Sequence, residues 1–583
     1  MFAVLVSTTL SMSPPLATAA RGTSSIFDQM AAADAALRAK HGAAENRILN
    51  ELFRPVVSEM APTPAKVVSG ALPEDMPRGA VLKNGPNPRP EHLSEQGGWL
   101  DGDGMVHCVV LPPGSSEPIY SRTWVRTDGF NKESAAGQRL FDGSLVAPRG
   151  LPLLWGLLVN GIRALQPQKD TANTGLMPLG SDGRVLALME QCLPSELQLF
   201  ANGTLRTLRA GVSFDGALTD FGRHPFAGGA LTAHLKVDSG TGERVGVSYP
   251  SNGDPGARVT TFAADGALAS DVMVPLRSPV QSMIHDCAIT CAASAASAGG
   301  RRGYTLLLDL PMTVRPARML RDAFPVEYEP EAGGRIGLVA RSSGEGDGRG
   351  GRAAAAGTAV WCDVEPCVVL HTCNAYESAD GQRVTLTALR STPSGLASFI
   401  EAYSSAYLYR WVLDVGTGRC VDEGPLCDVP LEFPVLDPRL VGRNARYGYA
   451  IQPCTIGGPN RYGPPNEGIL IDGVVKLDLN NGAVADRWQA PAGYFLVSEP
   501  TFVPRESSPA AEGDSGYLLV YVTAAASSPA AESVPGRESS DGRASRLVVL
   551  DAAAMTEAVA VLELPGAVPY GLHSTWLPYE ELP

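Results

Sequence analysis

The sequence predicts an all-β protein, and three observations lead to that prediction. Glycine and proline contribute 63 and 47 of the 583 residues, and both residue types interrupt helices. Short runs rich in β-branched residues are bounded by Gly, Pro, Asp or Asn, the pattern of strands joined by tight turns. Helical periodicity is nearly absent after residue 60. The composition therefore excludes a helical bundle, and 44% hydrophobic with 19% charged residues excludes an intrinsically disordered chain.

The predicted elements follow one another along the chain. Alanine-rich spacing predicts a helix over residues 27–53. The β-rich runs then predict strands at residues 80–82, 106–111, 185–188, 305–308, 368–370, 384–386, 517–522 and 547–550. Later helical patterns are limited to residues 151–165 and 394–403. Segments 292–302, 342–358 and 524–545 have little apolar bulk, so they are predicted to be exposed insertions.

The first 26 residues differ in composition from the rest of the chain. Residues 1–26 are rich in Ser and Thr and contain one base and no acid. That composition predicts a plastid transit peptide, with a disordered N-terminus and a cytoplasmic protein as the alternatives. Residues 27–583 are predicted to form a single domain that carries the insertions, because all-β folds can be long.

Charge and cysteine content narrow the classes of partner. The net charge is −14, which gives the chain no reason to bind nucleic acid. Ten cysteines include no CxxC pair, so zinc-finger ligation is disfavoured and buried free thiols are expected. No protein partner is indicated. No stretch reaches the ~18 apolar residues that a membrane-spanning helix needs.

Four of the eight histidines occur in or beside strand-like runs. They are His234, His285, His371 and His573, and 51, 86 and 202 residues separate them in turn. No HExxH pair exists, which excludes the common zinc-protease pattern. Taken singly, each could be an ordinary core histidine. If they meet, the chain must return repeatedly to one point, as in a radial or closed β architecture.

The sequence motifs around these histidines resemble those of the carotenoid cleavage dioxygenase family, and the nearest likeness is to its plant and algal branch. The resemblance extends over about residues 50–583 and keeps the motifs in family order. The motifs are KNGPNP (83–88), LDGDGMVH (100–107), TAHLKVD (232–238), TGE (241–243), HDCAIT (285–290), HTCNAYE (371–377), EFP (432–434), VGR (441–443), RYGY (446–449), SEPTFVPR (498–505) and YGLH (570–573).

The resemblance implies a seven-bladed β-propeller with a helical cap over an iron-containing face. It implies that Fe(II) is bound by His234, His285, His371 and His573. Four neutral imidazoles suit ferrous iron and leave positions for O₂. His107 lies in a family motif without being a ligand there, and His41, His92 and His224 are expected to be ordinary structural histidines.

The resemblance also implies that three glutamates orient the ligands by accepting the far ring N–H of a histidine. They map to Glu190, Glu432 and Glu499. Four positions depart from the family pattern while leaving every ligand in place: Gln191, Leu235, Cys287 and Ser574. These departures concern the shape of the substrate site rather than the metal.

The implied activity is oxidative cleavage of a conjugated C=C bond in a carotenoid or apocarotenoid, giving two carbonyl products. Two alternatives stay open. One is a family isomerase or an oxygenase of a non-carotenoid, stilbene-like substrate. The other is a propeller that binds apocarotenoids without catalysis. No nucleophile motif such as G-x-S-x-G and no P-loop is present in the sequence.

Residues 151–165 read LPLLWGLLVNGIRAL, with one charge. Fifteen residues are too few to cross a bilayer, so a buried core helix and a helix that dips into one leaflet are both compatible with the pattern. A lipid-soluble substrate favours the second reading and implies peripheral membrane association. The residues of this predicted membrane patch are Leu153, Leu154, Trp155, Leu157 and Leu158.

Overall fold

A computed structural model describes residues 51–90, 99–114, 116–141, 169–190, 192–216, 218, 231–250, 255–277, 281–291, 301–315, 317–318, 326–342, 355–392, 406–454, 470–506, 508–510, 512–524 and 543–583. The predicted N-terminal segment, the predicted helix up to residue 50 and the segments 151–165 and 394–403 lie outside these ranges. His41, His92, His224 and Gln191 also lie outside them.

Strands dominate the described residues. The strands are β1 Met60–Pro64, β2 Lys66–Gly70, β3 Gly79–Lys83, β4 Met105–Leu111, β5 Ile119–Trp124, β6 Gly175–Pro178, β7 Arg184–Leu188, β8 Ser195–Leu199, β9 Leu205–Arg209, β10 Lys236–Val237, β11 Arg244–Ser248, β12 Gly256–Phe262, β13 Leu268–Pro275, β14 Gln281–Ser282, β15 Ala288–Ile289, β16 Arg301–Asp309, β17 Met312–Val314 and β18 Val326–Tyr328. They continue as β19 Gly334–Ser342, β20 Ala355–Ala356, β21 Ala359–Val364, β22 Val368–Glu377, β23 Arg383–Ser391, β24 Tyr407–Asp414, β25 Arg419–Pro430, β26 Glu432–Val435, β27 Tyr447–Cys454, β28 Leu470–Asp478, β29 Val484–Gln489, β30 Tyr494–Leu496, β31 Thr501–Pro504, β32 Gly516–Ala524, β33 Ala544–Asp551, β34 Ala558–Leu564 and β35 Ser574–Pro578.

Helical structure is sparse in the same ranges. One α-helix, α1, spans Asp128–Ala136, and residues 51–53 form the end of another. Short 3₁₀ turns occur at Trp99–Asp101, Pro330–Ala332, Pro438–Leu440 and Tyr579–Glu581. None of the helices in the described part of the chain has the length and apolar character needed to cross a bilayer.

Strand pairing defines seven sheets of at least four strands once an eight-stranded sheet is divided where a single residue pair joins β21 to β25. In chain order, these are sheet 1 (β6-β7-β8-β9), sheet 2 (β10-β11-β12-β13), sheet 3 (β15-β16-β19-β21), sheet 4 (β22-β23-β24-β25), sheet 5 (β26-β27-β28-β29), sheet 6 (β2-β34-β33-β32-β30) and sheet 7 (β1-β5-β4-β3-β35). A further small sheet joins β14, β17 and β18. Within the seven sheets the chain runs mainly between sequence neighbours, as tight turns require.

The seven sheets pack face to face in a ring. Seven hydrophobic clusters each lie between two sheets, pairing 1 with 2, 2 with 3, 3 with 4, 4 with 5, 5 with 6, 6 with 7 and 7 with 1. Burial of the apolar residues on both faces of each sheet is the main stabilising contribution. The predicted all-β, propeller-type fold is therefore confirmed. The ring supports the predicted seven blades, and the helical cap stays a prediction.

The two ends of the described chain meet in this ring. β3 pairs antiparallel with β35, and β2 pairs antiparallel with β34. N-terminal strands thus complete two sheets that hold C-terminal strands. This pairing fixes the last turn before β35, which carries His573.

The predicted strands are confirmed: all eight runs lie inside strands β3, β4, β7, β16, β22, β23, β32 and β33. The predicted insertions were drawn too wide, because their ends belong to strands β16, β19, β20, β32 and β33. Residues 292–300, 343–354 and 525–542 of these segments lie outside the described ranges.

The sequence analysis missed helix α1, which is short and only weakly amphipathic. Its terminal residues carried the available signal. The hydroxyl of Thr127 accepts a hydrogen bond from the Phe130 N–H as an N-cap, and Gly137 closes the helix at φ 64°.

Candidate metal centre

Each of the seven sheets supplies one polar side chain to a common cluster. In sheets 2, 3, 4, 5 and 7 the side chain lies on the end strand of the sheet or within three residues before it. In sheets 1, 5 and 6 the side chain is that of a glutamate. Sheets 1 to 7 contribute, in order, Glu190, His234, His285, His371, Glu432, Glu499 and His573. All seven predicted site residues are thus carried by different sheets, which explains their wide spacing in the sequence.

The four histidine rings converge. The Nε2 atoms of His234 and His285 are 3.0 Å apart. Ring centroids of His234 lie 5.0 Å from His371 and 4.5 Å from His573. One ring nitrogen from each of His234, His371 and His573 falls within 4.8 Å of the others. The arrangement brings imidazole nitrogens to one small volume, as a metal ion requires.

Three of the rings are held from behind by a carboxylate. The Nδ1 atom lies 2.5 Å from Glu190 Oε2 in His285 and 2.5 Å from Glu432 Oε2 in His371. The corresponding distance from His573 Nδ1 to Glu499 Oε2 is 3.0 Å. An ionised carboxylate can only accept, so each Nδ1 carries the proton and each Nε2 keeps its lone pair. The lone pairs of these rings are therefore directed away from the glutamates.

The structure offers a direct test of whether these residues fit a cation. The Nε2 atom of His371 is buried and has no hydrogen-bond partner within the described residues. An unpaired buried polar atom is costly in a folded protein. A metal ion bound at Nε2 would satisfy this atom, and it would also separate the facing Nε2 atoms of His234 and His285. The donor set thus fits a soft-to-borderline divalent ion.

Burial and neighbouring charge act in opposite directions on these rings. Burial lowers the pKa of His234 well below its usual range, and the three neighbouring histidines lower it further. Burial also lowers the pKa of His573, against the opposing charge of Glu499. For His371, burial opposes protonation, but the charge and hydrogen bond of Glu432 outweigh it and raise the pKa. Neutral rings at His234 and His573 are the ligand form that metals need.

Two residues that the sequence analysis did not single out complete the centre. The Tyr249 hydroxyl donates a hydrogen bond to Oε1 of Glu190, which fixes the carboxylate behind His285. The Phe433 ring lies 5.1 Å from the ring of His371 and 5.0 Å from that of His573. Phe433 has a φ of 48°, an uncommon conformation for a bulky residue. Only the position of Phe433 inside the EFP motif gave a sequence signal.

Other predicted residues lie apart from the cluster or outside the described ranges. His107 is buried in β4, and its Nδ1 is 2.9 Å from the Tyr120 hydroxyl. The membrane patch formed by Leu153, Leu154, Trp155, Leu157 and Leu158 is not among the described residues.

Three of the four family departures can be placed. Leu235 is buried in the hydrophobic cluster between sheets 1 and 2. Cys287 is buried, and burial raises the pKa of its thiol to about 12, so it acts as a small apolar residue. The Ser574 N–H donates to Oε1 of Glu499 at 2.8 Å. None of the three displaces a histidine from the cluster.

Comparison with known proteins places this geometry among relatives. A family model described as retinal pigment epithelial membrane protein matches residues 53–578. A chloroplastic 9-cis-epoxycarotenoid dioxygenase of Oryza sativa subsp. japonica is 30% identical over 92% of this chain and 76% of its own length. A carotenoid 9,10(9',10')-cleavage dioxygenase of Arabidopsis thaliana is 28% identical over 91% of this chain and 89% of its own.

Two solved structures share the fold. A mutant of the apocarotenoid oxygenase of Synechocystis superposes with a TM-score of 0.67 at 23% identity, over 91% of this chain and 98% of its own. A lignostilbene dioxygenase of Pseudomonas brassicacearum superposes with a TM-score of 0.66 at 24% identity, over 91% of this chain and 97% of its own.

Proposed function

Because the chain belongs to the carotenoid oxygenase family, we propose that it is a non-haem Fe(II) dioxygenase that oxidatively cleaves a conjugated C=C bond of a carotenoid or apocarotenoid. One observation carries the proposal: four imidazoles converge on one volume, and carboxylates hold three of them from behind. Two of the relatives are named as a 9-cis-epoxycarotenoid dioxygenase and a carotenoid 9,10(9',10')-cleavage dioxygenase. The expected products are two carbonyl compounds.

In this proposal His234, His285, His371 and His573 would bind the ferrous ion through their inward nitrogens. When bound, Fe(II) supplies the activation of O₂ that no amino-acid side chain provides. The orphaned Nε2 of His371 supports this assignment. Four neutral ligands leave the charge of the ion undiminished at the centre.

Glu190, Glu432 and Glu499 act on the rings rather than on the substrate. Each accepts the Nδ1 proton of one histidine and thereby fixes its tautomer and ring plane. Phe433 supplies apolar surface beside two of the rings. An apolar wall limits water near the reacting bond, while the protein otherwise contributes positioning.

The substrate class also bears on where the protein acts. A long polyene dissolves in lipid, so we place the protein at a membrane surface through Leu153, Leu154, Trp155, Leu157 and Leu158. Several relatives are named as chloroplastic, which supports a plastid location. A liposome co-sedimentation assay tests the membrane contact. Unchanged binding after Leu157→Glu with Leu158→Glu would contradict it.

The decisive experiment is aerobic incubation of iron-analysed protein with a panel of carotenoids, apocarotenoids and stilbenes under ¹⁸O₂. We expect about one iron per chain and aldehyde or ketone products that carry ¹⁸O. Isomerised but uncleaved polyenes would favour the isomerase alternative, and cleavage of stilbenes alone would favour the non-carotenoid alternative. Well under one iron per chain, unrecoverable with added Fe(II), would refute the enzyme and leave the binding-only propeller.

A further inference from the structure

One buried carboxylate connects three of the four histidine-bearing segments. Asp286 follows His285 and is 1% exposed. Its Oδ1 lies 2.9 Å from Nζ of Lys236, two residues after His234. Its Oδ2 accepts hydrogen bonds at 2.8 Å from both the backbone N–H and the hydroxyl of Thr372, the residue after His371. Sheets 2, 3 and 4 are therefore joined at a single side chain.

The contacts of Asp286 are nearly saturated. Besides Lys236 and Thr372, its Oδ1 accepts from the backbone N–H of Cys287 at 2.7 Å. The Thr372 hydroxyl also lies 2.9 Å from the Cys287 carbonyl, so its one proton is shared between two acceptors. Hydrogen bonds to an ionised acceptor in a buried place are the strong ones, because water does not compete for them.

The glutamates behind the rings perform a different task. Each of them contacts a single histidine, so it fixes the orientation of one ring. None of these contacts sets the separation of one histidine segment from another. The segments come from three different sheets, and apolar packing between sheets is non-directional, so directional bonds are needed to define the separation of the segments closely. Asp286 provides such bonds to all three segments from one side chain.

We infer that Asp286 is a positioning residue that sets the spacing of His234, His285 and His371 by tying their segments together. His573 has its own link, because Glu499 accepts both its Nδ1–H and the next backbone N–H. The inference deepens the proposed function and rests on it. It assigns the acidic residue of the HDCAIT motif a role that differs from those of the ligands and the glutamates.

The test compares three variants with wild type. Asp286→Asn keeps the size of the side chain but replaces one acceptor oxygen with a donor that faces Lys236 or Thr372. Thr372→Val keeps the shape and the backbone N–H but removes the hydroxyl. Asp478→Asn is the matched control: Asp478 is also buried and paired, with Arg446, but contacts none of the seven cluster residues in the described structure.

Three readouts separate positioning from general stability. For Asp286→Asn we expect Fe(II) affinity, by chelator competition, to fall about 10- to 100-fold, the range for outer partners of metal ligands. We expect shifted visible bands of the Co(II)-substituted protein and a lower kcat with unchanged KM. Thr372→Val should lower the affinity several-fold, and Asp478→Asn should lower only the melting temperature of the metal-free protein.

Each outcome decides between the alternatives. Wild-type affinity and unshifted Co(II) bands in folded Asp286→Asn would overturn the inference, and so would an equal loss of affinity in Asp478→Asn. If Asp286→Asn does not fold, Thr372→Val becomes the test, and an unchanged Fe(II) affinity in that variant would overturn the inference. Wild-type protein that binds no iron refutes the proposed function and the inference together. Wild type that binds iron beside an unaffected variant refutes the inference only.

Discussion

The candidate metal centre and a second buried polar cluster both contain buried carboxylates next to nitrogen-bearing side chains. They differ in whether the charges within the cluster neutralise one another. The second cluster, here called the charge quartet, consists of Arg89, Asp103, Glu133 and Lys169, with side-chain exposures of 9% or less. Nζ of Lys169 lies 2.6 Å from Asp103 and 2.7 Å from Glu133. The Nη2 atom of Arg89 lies 3.1 Å from Oε2 of Glu133, and its Nε atom lies 3.4 Å from Oδ2 of Asp103. Two cations and two anions thus neutralise one another.

The metal centre has no such internal balance. Three carboxylates back three of the rings, and the inward Nε2 atoms of those rings are left to act as acceptors. The His371 Nε2 atom is left without a partner in the described structure. A buried cluster that is neutral by itself is expected to be structural, whereas one that lacks positive charge at its middle is suited to a cation. This difference separates two clusters that look alike as sets of buried polar residues.

The largest expected effect comes from removing a ring of the centre. His371→Ala should abolish iron binding and lower carotenoid cleavage by at least ~10³-fold, because the chemistry depends on the ion. Metal analysis and product formation measure both effects. His107→Gln is the control, since His107 is also a buried histidine, and its Nδ1 lies 2.9 Å from the Tyr120 hydroxyl, away from the cluster. Full iron in His371→Ala would remove His371 from the ligand set.

The charge quartet should respond in the opposite way. Glu133→Gln leaves Lys169 and Arg89 short of one buried anion, so the free energy of unfolding should fall by about 3–5 kcal/mol. The Fe(II) affinity of the folded protein should stay unchanged. Denaturant titration and chelator competition measure the two quantities.

The matched control for that variant is Glu196→Gln. Glu196 is also buried, but its partners Arg184 and Arg209 are 29% and 63% exposed. Water can solvate those two cations, so we expect a smaller loss of stability than in Glu133→Gln. A larger loss in the control would show that the quartet is not the stabilising unit that its neutrality indicates.

A third, smaller effect compares two carboxylates within the centre. Glu432 is fully buried and accepts from His371 Nδ1 at 2.5 Å, while Glu499 is 14% exposed and accepts from His573 Nδ1 at 3.0 Å. Glu432→Gln should lower Fe(II) affinity about 10- to 100-fold, the range expected for outer partners of ligating histidines. Glu499→Gln should lower it less, because water can partly replace the lost oxygen. The reverse order would contradict the link between burial and ligand orientation.

Sequence reasoning went furthest where chemistry and local pattern agree. Runs such as residues 517–522 and 547–550 are strands because β-branched residues cluster between turn formers. The seven cluster residues were predicted from the short sequence motifs that contain them, and the structure brings all seven together. Their meeting point could not follow from the residues alone, because it depends on how seven sheets close into a ring.

Contacts between distant segments were out of reach. Nothing near Tyr249 signals that its hydroxyl meets Glu190, a residue 59 positions away. Asp286 was visible only as part of a motif, while its bonds run to Lys236 and Thr372 at separations of 50 and 86 residues. Each quartet member alone is an ordinary charged residue. Such networks are properties of tertiary packing, and no local periodicity encodes them.

A buried cation, Lys83, lies outside both clusters. Lys83 is 1% exposed, and its Nζ donates to the carbonyl of Pro569 at 2.6 Å. No salt bridge to Lys83 occurs among the described residues. Burial, with a contribution from Arg543, lowers its pKa to about 7. Without a neighbouring anion in the described structure to neutralise it, the buried Lys83 therefore loses its proton more readily than an exposed lysine.

The sign of the pH dependence follows from proton binding. Below pH 7 both folded and unfolded chains carry the proton, so the full cost of the buried charge is present. Between about pH 7 and the unfolded pKa near ~10.4, the unfolded chain binds one more proton. Stability should then rise with pH by at most about 1.4 kcal/mol per pH unit. Lys83→Met removes this slope.

Denaturant titrations at pH 7, 8 and 9 measure the slope in wild type, in Lys83→Met and in Lys66→Met, whose lysine is exposed on β2. As the pH rises, the free energy of unfolding should increase more in wild type than in Lys83→Met. In Lys66→Met it should change with pH as it does in wild type. Parallel profiles for all three proteins would mean that Lys83 keeps its proton when buried. A carbonyl would then suffice to hold a buried cation, and electroneutrality would no longer explain why the quartet, unlike the metal centre, is complete without an added ion.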